Sequence, residues 1–531
     1  MRVSDPLVGL GLVTLSGCLW FLACTPFDLA PAAWIAAVPM LAAVDRAQSM
    51  RFAVLLGWWA GVIETCGGFY WLVGMMQRFT GAPWFVGVLV LLAFCATRAL
   101  IFALFTAVVY ALRRRLEVPM AFLAAPAMAA SEFLVPQIFP CGQWITQAWQ
   151  PLVIQIAELT GPIGVTALLM LVNGAIYDAL LAWRRALVPL VTAAAVLGAA
   201  LTFGAVRMRQ IDAIVAHAPH LEIGLVQPNI PYTNDGDFSA EEAARELATL
   251  QGETIKLQRA GAKLVVWSEG SYPVALPRDF TQDFTPDSPA MIRRGSSVPL
   301  IIGATTYDTG DEAFNSALLL DEGGNVSGRY DKVRLLAFGE YLPGVEYFPW
   351  LRNLLPAGAG RYTPGLGPAM LPFISPTGAT WSLGPVICYE DILPDYLRRV
   401  ARRHPNLLVN LTVDSWYGTH SEPWEHLALA VFATVEMRVA MVRAVNSGVS
   451  ALIDPNGRVV AKSRAQDPYA HPLPADGLLV DAPRMTGTDT PYVRYGDWLP
   501  YLSIAALAAM GVRARRLRSS KINRGKSADS A

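Results

Sequence analysis

Charge is scarce in this sequence. Charged residues make up 16% of its 531 positions and hydrophobic ones 53%, where an ordinary soluble domain carries about 25% charged residues. The 42 basic and 42 acidic residues cancel, so bulk electrostatics gives no ground for nucleic-acid binding. Cysteine is sparse as well: Cys18, Cys24, Cys66, Cys95, Cys141 and Cys388 are the whole set. None forms a CxxC pair or a Cys/His cluster at zinc spacing, which argues against a zinc module or a disulfide framework. Five of the six lie in the apolar first third. Cys388 stands alone in its region, without a disulfide partner there, and a lone cysteine is by itself usually a small buried hydrophobe.

The shortage of charge is uneven. Residues 1–206 and 497–512 are nearly free of it, whereas 207–496 has ordinary soluble composition. This divides the chain into a transmembrane domain (1–206), a soluble domain (207–496), a last span (497–512) and a basic tail (513–531). A helix needs about 20 apolar residues to cross a bilayer. Runs that answer this description fall near 7–24, 31–44, 52–77, 84–110, 118–135, 158–182, 186–206 and 497–512. The second is short, and Pro119, Pro126 and Pro136 punctuate the fifth. The first lacks a small-residue cleavage site and reads as a retained anchor.

Arginines set the expected orientation. Arg46 and Arg51, then Arg113 to Arg115, then Arg184 and Arg185 mark alternate loops, and the tail adds Arg513, Arg515, Arg516, Arg518, Lys521, Arg524 and Lys526. Residues 25–30 carry no base and 78–83 carry only Arg78. Eight spans would put both termini in the cytoplasm and 207–496 outside. Glu64, Arg98, Glu132 and Asp178 lie in or near spans, where an ionisable group is costly. Snorkelling or helix-to-helix pairing is the plainer account of them, and a lipid phosphate the alternative for Arg98. Trp144 and Trp149 suit the interfacial aromatic belt.

Strand and helix patterns alternate through 207–496, which predicts a layered α/β domain. Strands are expected at 221–227, 263–267, 299–303, 315–320, 381–388 and 407–412, with helices at 240–260, 391–403 and 422–444. Segments 449–454 and 458–461 would pair around Pro455-Asn456-Gly457. Two long loops, 270–297 and 341–380, stand out. The second carries Phe348-Pro-Trp-Leu351 and Leu354-Leu355, apolar tips suited either to dipping into lipid or to covering the core.

Three chemically suggestive residues fall at ends of predicted strands: Glu269 after Val-Val-Trp-Ser, Lys332 in Tyr330-Asp-Lys, and Cys388 before Tyr389-Glu390-Asp391. Open α/β sheets build their sites at strand carboxyl ends. A cysteine attacks as thiolate and needs a base. A desolvated Glu269 has the chemistry for that, and a helix N-terminus after Cys388 would favour the thiolate. A lysine can stabilise an oxyanion together with a backbone amide such as that of Tyr389. Glu340, in Phe338-Gly-Glu340, could orient the lysine. Each alone is weak, since a glutamate at a strand end is most often a solvated surface group.

Together, in this order, Trp267-Ser-Glu269, Tyr330-Asp-Lys332, Phe338-Gly-Glu340 and Cys388-Tyr-Glu390 resemble the Glu-Lys-Cys motifs of the nitrilase superfamily. Gln227-Pro-Asn229, Asn410 to Gly418, and Arg438 through Arg443 to Asn446-Ser-Gly448 extend the likeness. A nitrilase-like domain set between several N-terminal spans and one last span resembles the apolipoprotein N-acyltransferase family. The resemblance implies an α-β-β-α sandwich on a multi-pass helical domain, in a bacterial inner membrane with the catalytic domain periplasmic. It implies transfer of an acyl chain from a phospholipid, through a cysteine thioester, to the N-terminal amine of a diacylglyceryl-cysteine apolipoprotein. Cys388 would be nucleophile, Glu269 base and acid, and Lys332 oxyanion stabiliser. Glu340 would support the lysine, and Tyr389 and Glu390 would shape the pocket. The enzyme would need no metal or cofactor, bind no nucleic acid and act as a monomer.

Several positions depart from the family's usual pattern. Ser268 stands where proline is common, Val413 where asparagine is usual, and Thr233-Asn-Asp-Gly236 where a Lys-Trp pair is frequent. Phe139-Pro-Cys-Gly-Gln-Trp144 interrupts a Phe-Pro-Trp. Two other readings share these residues. A membrane-tethered amidase would use the same triad on a small amide, without needing seven spans before the domain. A transporter or scaffold with an inert domain would have no reason to keep all three catalytic residue types.

Overall fold

The computed structural model describes residues 6–231, 239–310, 312–345, 347–348, 350, 362–418, 421–464, 475–486 and 489–528, with side chains to 517. The chain forms two compact units, one of residues 1–70, 89–206 and 495–531, the other of 71–88 and 207–494. The expected loop tips at Leu351, Leu354 and Leu355, and the departure at 233–236, lie outside the described residues.

The first unit is helical. Among the described residues, four helices are long and apolar enough to cross a membrane: Pro6–Ala23, Trp84–Arg113, Ile163–Arg185 and Leu187–His217. Met50–Gly68 and Leu72–Thr80, bent by 58° at their junction, make a fifth if they count as one span. Two of the expected runs are shorter apolar helices, Ala30–Asp45 and Met120–Leu134. Proline explains the second. Pro119 caps its start, and its last turn ends at Val135, which precedes Pro136 and is thereby biased out of the helical region. The final apolar run continues without a break into its arginines as one helix, Trp498–Ala528.

Arg98, Glu132 and Asp178 find partners within this unit, as a hydrocarbon environment favours. The Arg98 guanidinium lies 3.8 Å from Glu64 and donates to Gln137 at 2.6 Å and to the Cys141 carbonyl. Glu132 accepts from the Gln143 amide at 2.7 Å and from Thr166 at 3.2 Å. Asp178 accepts from the Met120 and Ala121 amides at 2.9 and 3.1 Å, two of the orphan donors that open a helix. These are pairing roles.

The second unit is built on two sheets. Strands β1 (His220–Gln227), β2 (Leu264–Val266), β3 (Leu276–Pro277), β4 (Leu300–Tyr307), β5 (Ala313–Leu320) and β6 (Val326–Asp331) precede the long second loop. After it come β7 (Leu371–Ile374), β8 (Thr380–Ile387), β9 (Leu407–Val413), β10 (Met441–Asn446), β11 (Ala451–Ile453), β12 (Val459–Lys462) and β13 (Asp476–Pro483). One sheet runs β13-β1-β2-β4-β5-β6, with β3 beside β4, and the other runs β12-β11-β10-β9-β8-β7. Their central pairs β1–β2, β2–β4, β8–β9 and β9–β10 are parallel. Such strands are buried on both faces and read as continuous apolar runs.

Helix Ala240–Arg259 opens with a capping box of Ser239 and Glu242. Its Leu247, Leu250 and Leu257, recurring at helical spacing, join Val265, Trp267 and Leu300 in the core. The buried Trp267 indole donates to Thr254 at 2.8 Å. Gln227 of β1 ties the two sheets: its side-chain oxygen accepts from Ser450 at 2.8 Å and Ser463 at 2.6 Å, on either side of the β11–β12 pair.

Three sequence expectations change here. The helix expected over 422–444 ends at Met437. Arg438 takes a left-handed φ of 53°, and the β-branched run that follows forms β10. The helix expected over 391–403 is Pro394–Ala401, preceded by a tight turn, Cys388–Ile392. Residues 71–88 join the second unit. There Trp71 packs edge-on against Tyr417 at 5.1 Å, Phe79 stacks near Trp416 at 4.9 Å, and Arg78 donates to the Trp416 carbonyl at 3.0 Å.

Candidate active site

Glu269 lies three residues beyond β2, not on its last position. It is placed there by close approach to β4. A Cβ added to Gly303 would lie 2.4 Å from the Ser268 carbonyl oxygen and 2.8 Å from the Glu269 Cα. Backbone cannot give way as a flexible side chain can, so overpacking here shifts the catalytic loop. Gly303→Ala is therefore expected to lower turnover at least tenfold. Gly310→Ala, with only a side-chain oxygen at 3.5 Å, serves as the control in the same assay.

Lys332 follows β6 and is 1% exposed. Its Nζ lies 3.1 Å from Glu269 Oε1 and 2.8 Å from Glu340 Oε2. Asn315 of β5 joins the carboxylates from the other side, donating to Glu269 Oε1 at 2.7 Å and to Glu340 Oε1 at 3.0 Å. Burial alone would lower the lysine's pKa, but the two carboxylates outweigh it and hold the ammonium charged well beyond the usual lysine range. Burial raises the Glu269 carboxyl. Lys332 opposes that rise and Glu340 adds to it. The other oxygen of Glu269, Oε2, is buried without a hydrogen-bond partner.

Cys388 opens the turn after β8 with a left-handed φ of 50°, a region that costs a non-glycine residue energy and is kept where the surroundings fix it. The thiol is buried, 7% exposed. Burial and the Glu269 charge push its pKa well up, with Lys332 pulling the other way. The helix whose N-terminus was expected to favour the thiolate begins only at Pro394, after the short turn Cys388–Ile392. That turn is too short to supply a strong helix dipole, and burial favours the protonated thiol.

Glu390 is fully buried and faces backbone. It accepts from the Val333 and Arg334 amides at 2.7 and 2.9 Å, from the Ile387 amide at 2.8 Å, and from Tyr330 at 2.6 Å. It thereby fastens the chain just after Lys332 to the chain just before Cys388, one from each sheet. Burial raises its pKa to about 7 against these hydrogen bonds. Tyr389 is partly buried, and burial lifts its phenol to about 12.

Composition gave no sign of a second buried layer behind Cys388. Asp391, in the same turn, pairs with Arg443 of β10 and lies 2.9 Å from His426 Nε2, while Asp414 lies 3.0 Å from His426 Nδ1. Burial opposes protonation of this imidazole, but the carboxylates prevail and lift it to about 10. Asp391, Asp414 and Arg443 lay in stretches already singled out, but nothing in their spacing joined them, and a lone histidine in an apolar helix is a weak cue.

Above Glu269, Asn315 and Glu340 opens a cavity of about 450 Å³, lined also by Tyr362, Val413 and Trp416. Val413 is one of the departures noted above. Ser268, another, is buried with its hydroxyl unpaired.

Residues 16–175 match the family model of the apolipoprotein N-acyltransferase N-terminal domain, and 222–468 match that of the carbon-nitrogen hydrolases. An apolipoprotein N-acyltransferase of Geobacter metallireducens is 30% identical over 524 residues, covering 96% of this chain and 95% of the relative. The chain belongs to the apolipoprotein N-acyltransferase family. A Bdellovibrio bacteriovorus member is 29% identical, with 89% of each chain covered. Among solved structures, an amidase of the nitrilase superfamily from Nesterenkonia AN1 is 20% identical, covering 52% of this chain and 96% of that one, with a TM-score of 0.35. Family membership accounts for both halves of the sequence, the apolar helices and the carbon-nitrogen hydrolase domain, and makes the protein membrane-bound.

Proposed function

We propose that this enzyme moves an acyl chain from a membrane phospholipid to the N-terminal amine of a diacylglyceryl-cysteine apolipoprotein, with Glu269, Lys332 and Cys388 as the catalytic triad. One observation carries the mechanism: a buried lysine held between two carboxylates, in the same buried site as Cys388. The Cys388 proton passes to Glu269 as sulfur attacks the donor's ester carbonyl. The resulting oxyanion is stabilised by Lys332, whose charge acts strongly in a buried site. Collapse breaks the ester C–O bond, and Glu269 returns the proton to the departing lysolipid oxygen, leaving a thioester. The acceptor amine then attacks this thioester. Glu269 takes the amine's proton and delivers it to the leaving sulfur, which restores the thiol and leaves an amide. Glu340 keeps Lys332 charged and in place, Glu390 holds the turn that presents Cys388, and Tyr389 helps to shape the pocket.

The family relationship favours this reading over a membrane-tethered amidase. Intact-protein mass after incubation with phospholipid alone tests it. An added acyl mass that hydroxylamine removes is expected, and no adduct on folded enzyme with a competent donor would redirect attention to small amides.

For orientation, the arginine pattern supports cytoplasmic termini at an inner membrane, with the catalytic unit periplasmic. Reporter tags at residues 1 and 531 are both expected to read as cytoplasmic. A periplasmic C-terminal tag would break the eight-span topology and with it the division at 206, 496 and 512.

A further inference from the structure

The cavity above the triad is acidic. Glu246, Glu269 and Glu340 line it, and none of its described lining residues is lysine, arginine or histidine. Beneath it, Lys332 is already shared by Glu269 and Glu340. Glu246 differs from the other acids of helix Ala240–Arg259. Glu241 pairs with Arg245, Glu242 closes the capping box and Glu253 pairs with Lys256. Glu246 makes no hydrogen bond or ion pair among the described residues, and its charged neighbour on the helix, Glu242, is of like sign. Burial and Glu242 raise its carboxyl to about 7. A carboxylate kept partly out of water without a partner costs stability. Glu269, whose Oε2 is buried and unpaired, lines the same cavity, so no cation among the described lining residues meets the acid excess.

Resting on the acyl-transfer reading above, we propose that Glu246 is a recognition residue for a primary ammonium group entering this cavity. Two substrates carry one: the acceptor at its N-terminus, and a donor lipid with an ethanolamine head group. An N-terminal amine has a pKa of about 7.7–8.0, so it arrives mostly protonated and has to lose that proton before it can attack. A carboxylate at the cavity wall would first hold the cation in register with the thioester.

The test uses full-length enzyme in vesicles of either ethanolamine- or glycerol-headed phospholipid, with a synthetic diacylglyceryl-cysteine peptide as acceptor. A hydrogen bond to a charged group is worth about tenfold or more in affinity. Glu246→Gln should therefore raise the KM for the peptide about tenfold, with kcat changed much less and Glu246→Asp intermediate. That outcome assigns the ammonium to the acceptor. A selective loss of thioester formation from ethanolamine-headed vesicles alone assigns it to the donor. Changes below twofold throughout, or an equal loss of thioester formation with both lipids in the absence of peptide, overturn the proposal. If wild-type enzyme forms no thioester, the acyl-transfer reading fails separately. Calorimetric titration with hexylammonium still decides this one, since Glu246→Gln must weaken that binding if Glu246 recognises ammonium.

Discussion

Cys388→Ala should lose turnover by a factor on the order of 10⁴ or more, the scale on which removal of a covalent nucleophile is felt, and should remain folded. The second half follows from the site. Alanine is smaller than cysteine, shares its Cβ, and so meets the left-handed φ of 50° at position 388 with no new strain. The surrounding turn is held by Glu390 through the Ile387 amide at 2.8 Å and by the Asp391–Arg443 pair, none of which involves the thiol. The variant should therefore melt close to the wild type while forming no hydroxylamine-sensitive adduct. Cys388→Ser should be nearly as inactive, because a hydroxyl is far less acidic than a thiol and Glu269 cannot ionise it. Substantial turnover in either variant, measured with phospholipid donor and lipopeptide acceptor, would place the nucleophile elsewhere.

How much of this was legible in sequence depends on how local each feature is. Glu269 and Cys388 stood out because each follows an apolar strand, and a strand is a local pattern, whereas Lys332 follows the polar β6 and stood out by its motif. Lys332 is the strongest case: a lysine that is 1% exposed costs too much to bury without partners, and both partners, Glu269 and Glu340, lay in motifs already marked. Asn315 did not stand out, because an asparagine at a strand position carries no period of its own. Its role appears only when β5 lies beside β4 and β6. The link Asp391–His426–Asp414 was equally hidden, although Asp391 and Asp414 lay in marked stretches. Its members are separated by 12 to 35 positions and meet only through the order β10-β9-β8. The helix expected over 422–444 shows the opposite error. Its apolar residues continue smoothly from helix into β10, and only the backbone reversal at Arg438 separates them. Residues 71–88 read as plain membrane sequence because their partners, Trp416 and Tyr417, lie more than 300 residues away.

Glu269→Gln should slow thioester formation by about 10² to 10⁴, the usual range for loss of a general base. Gln is nearly isosteric and keeps an oxygen for Asn315, which donates to Oε1 at 2.7 Å, so the loop should stay in place. What disappears is the proton acceptor and one of the two charges on Lys332. The other charge, Glu340 at 2.8 Å, keeps the lysine protonated, so oxyanion stabilisation survives and the residual rate is not zero. The pH dependence separates loss of a base from a merely structural defect. Burial raises the pKa of Glu269 above the ordinary carboxylate value, and the base works only when ionised. Wild-type acylation should therefore fall as pH drops through that raised pKa, at a higher pH than an exposed glutamate would give. Lys332 is held charged well above the usual lysine range and contributes no loss on the acid side. In Glu269→Gln the acid limb assigned to this carboxyl should vanish, leaving a low rate that is flatter with pH. If the variant keeps the wild-type limb at a uniformly reduced rate, the titrating base is another group and Glu269 serves only to place Lys332.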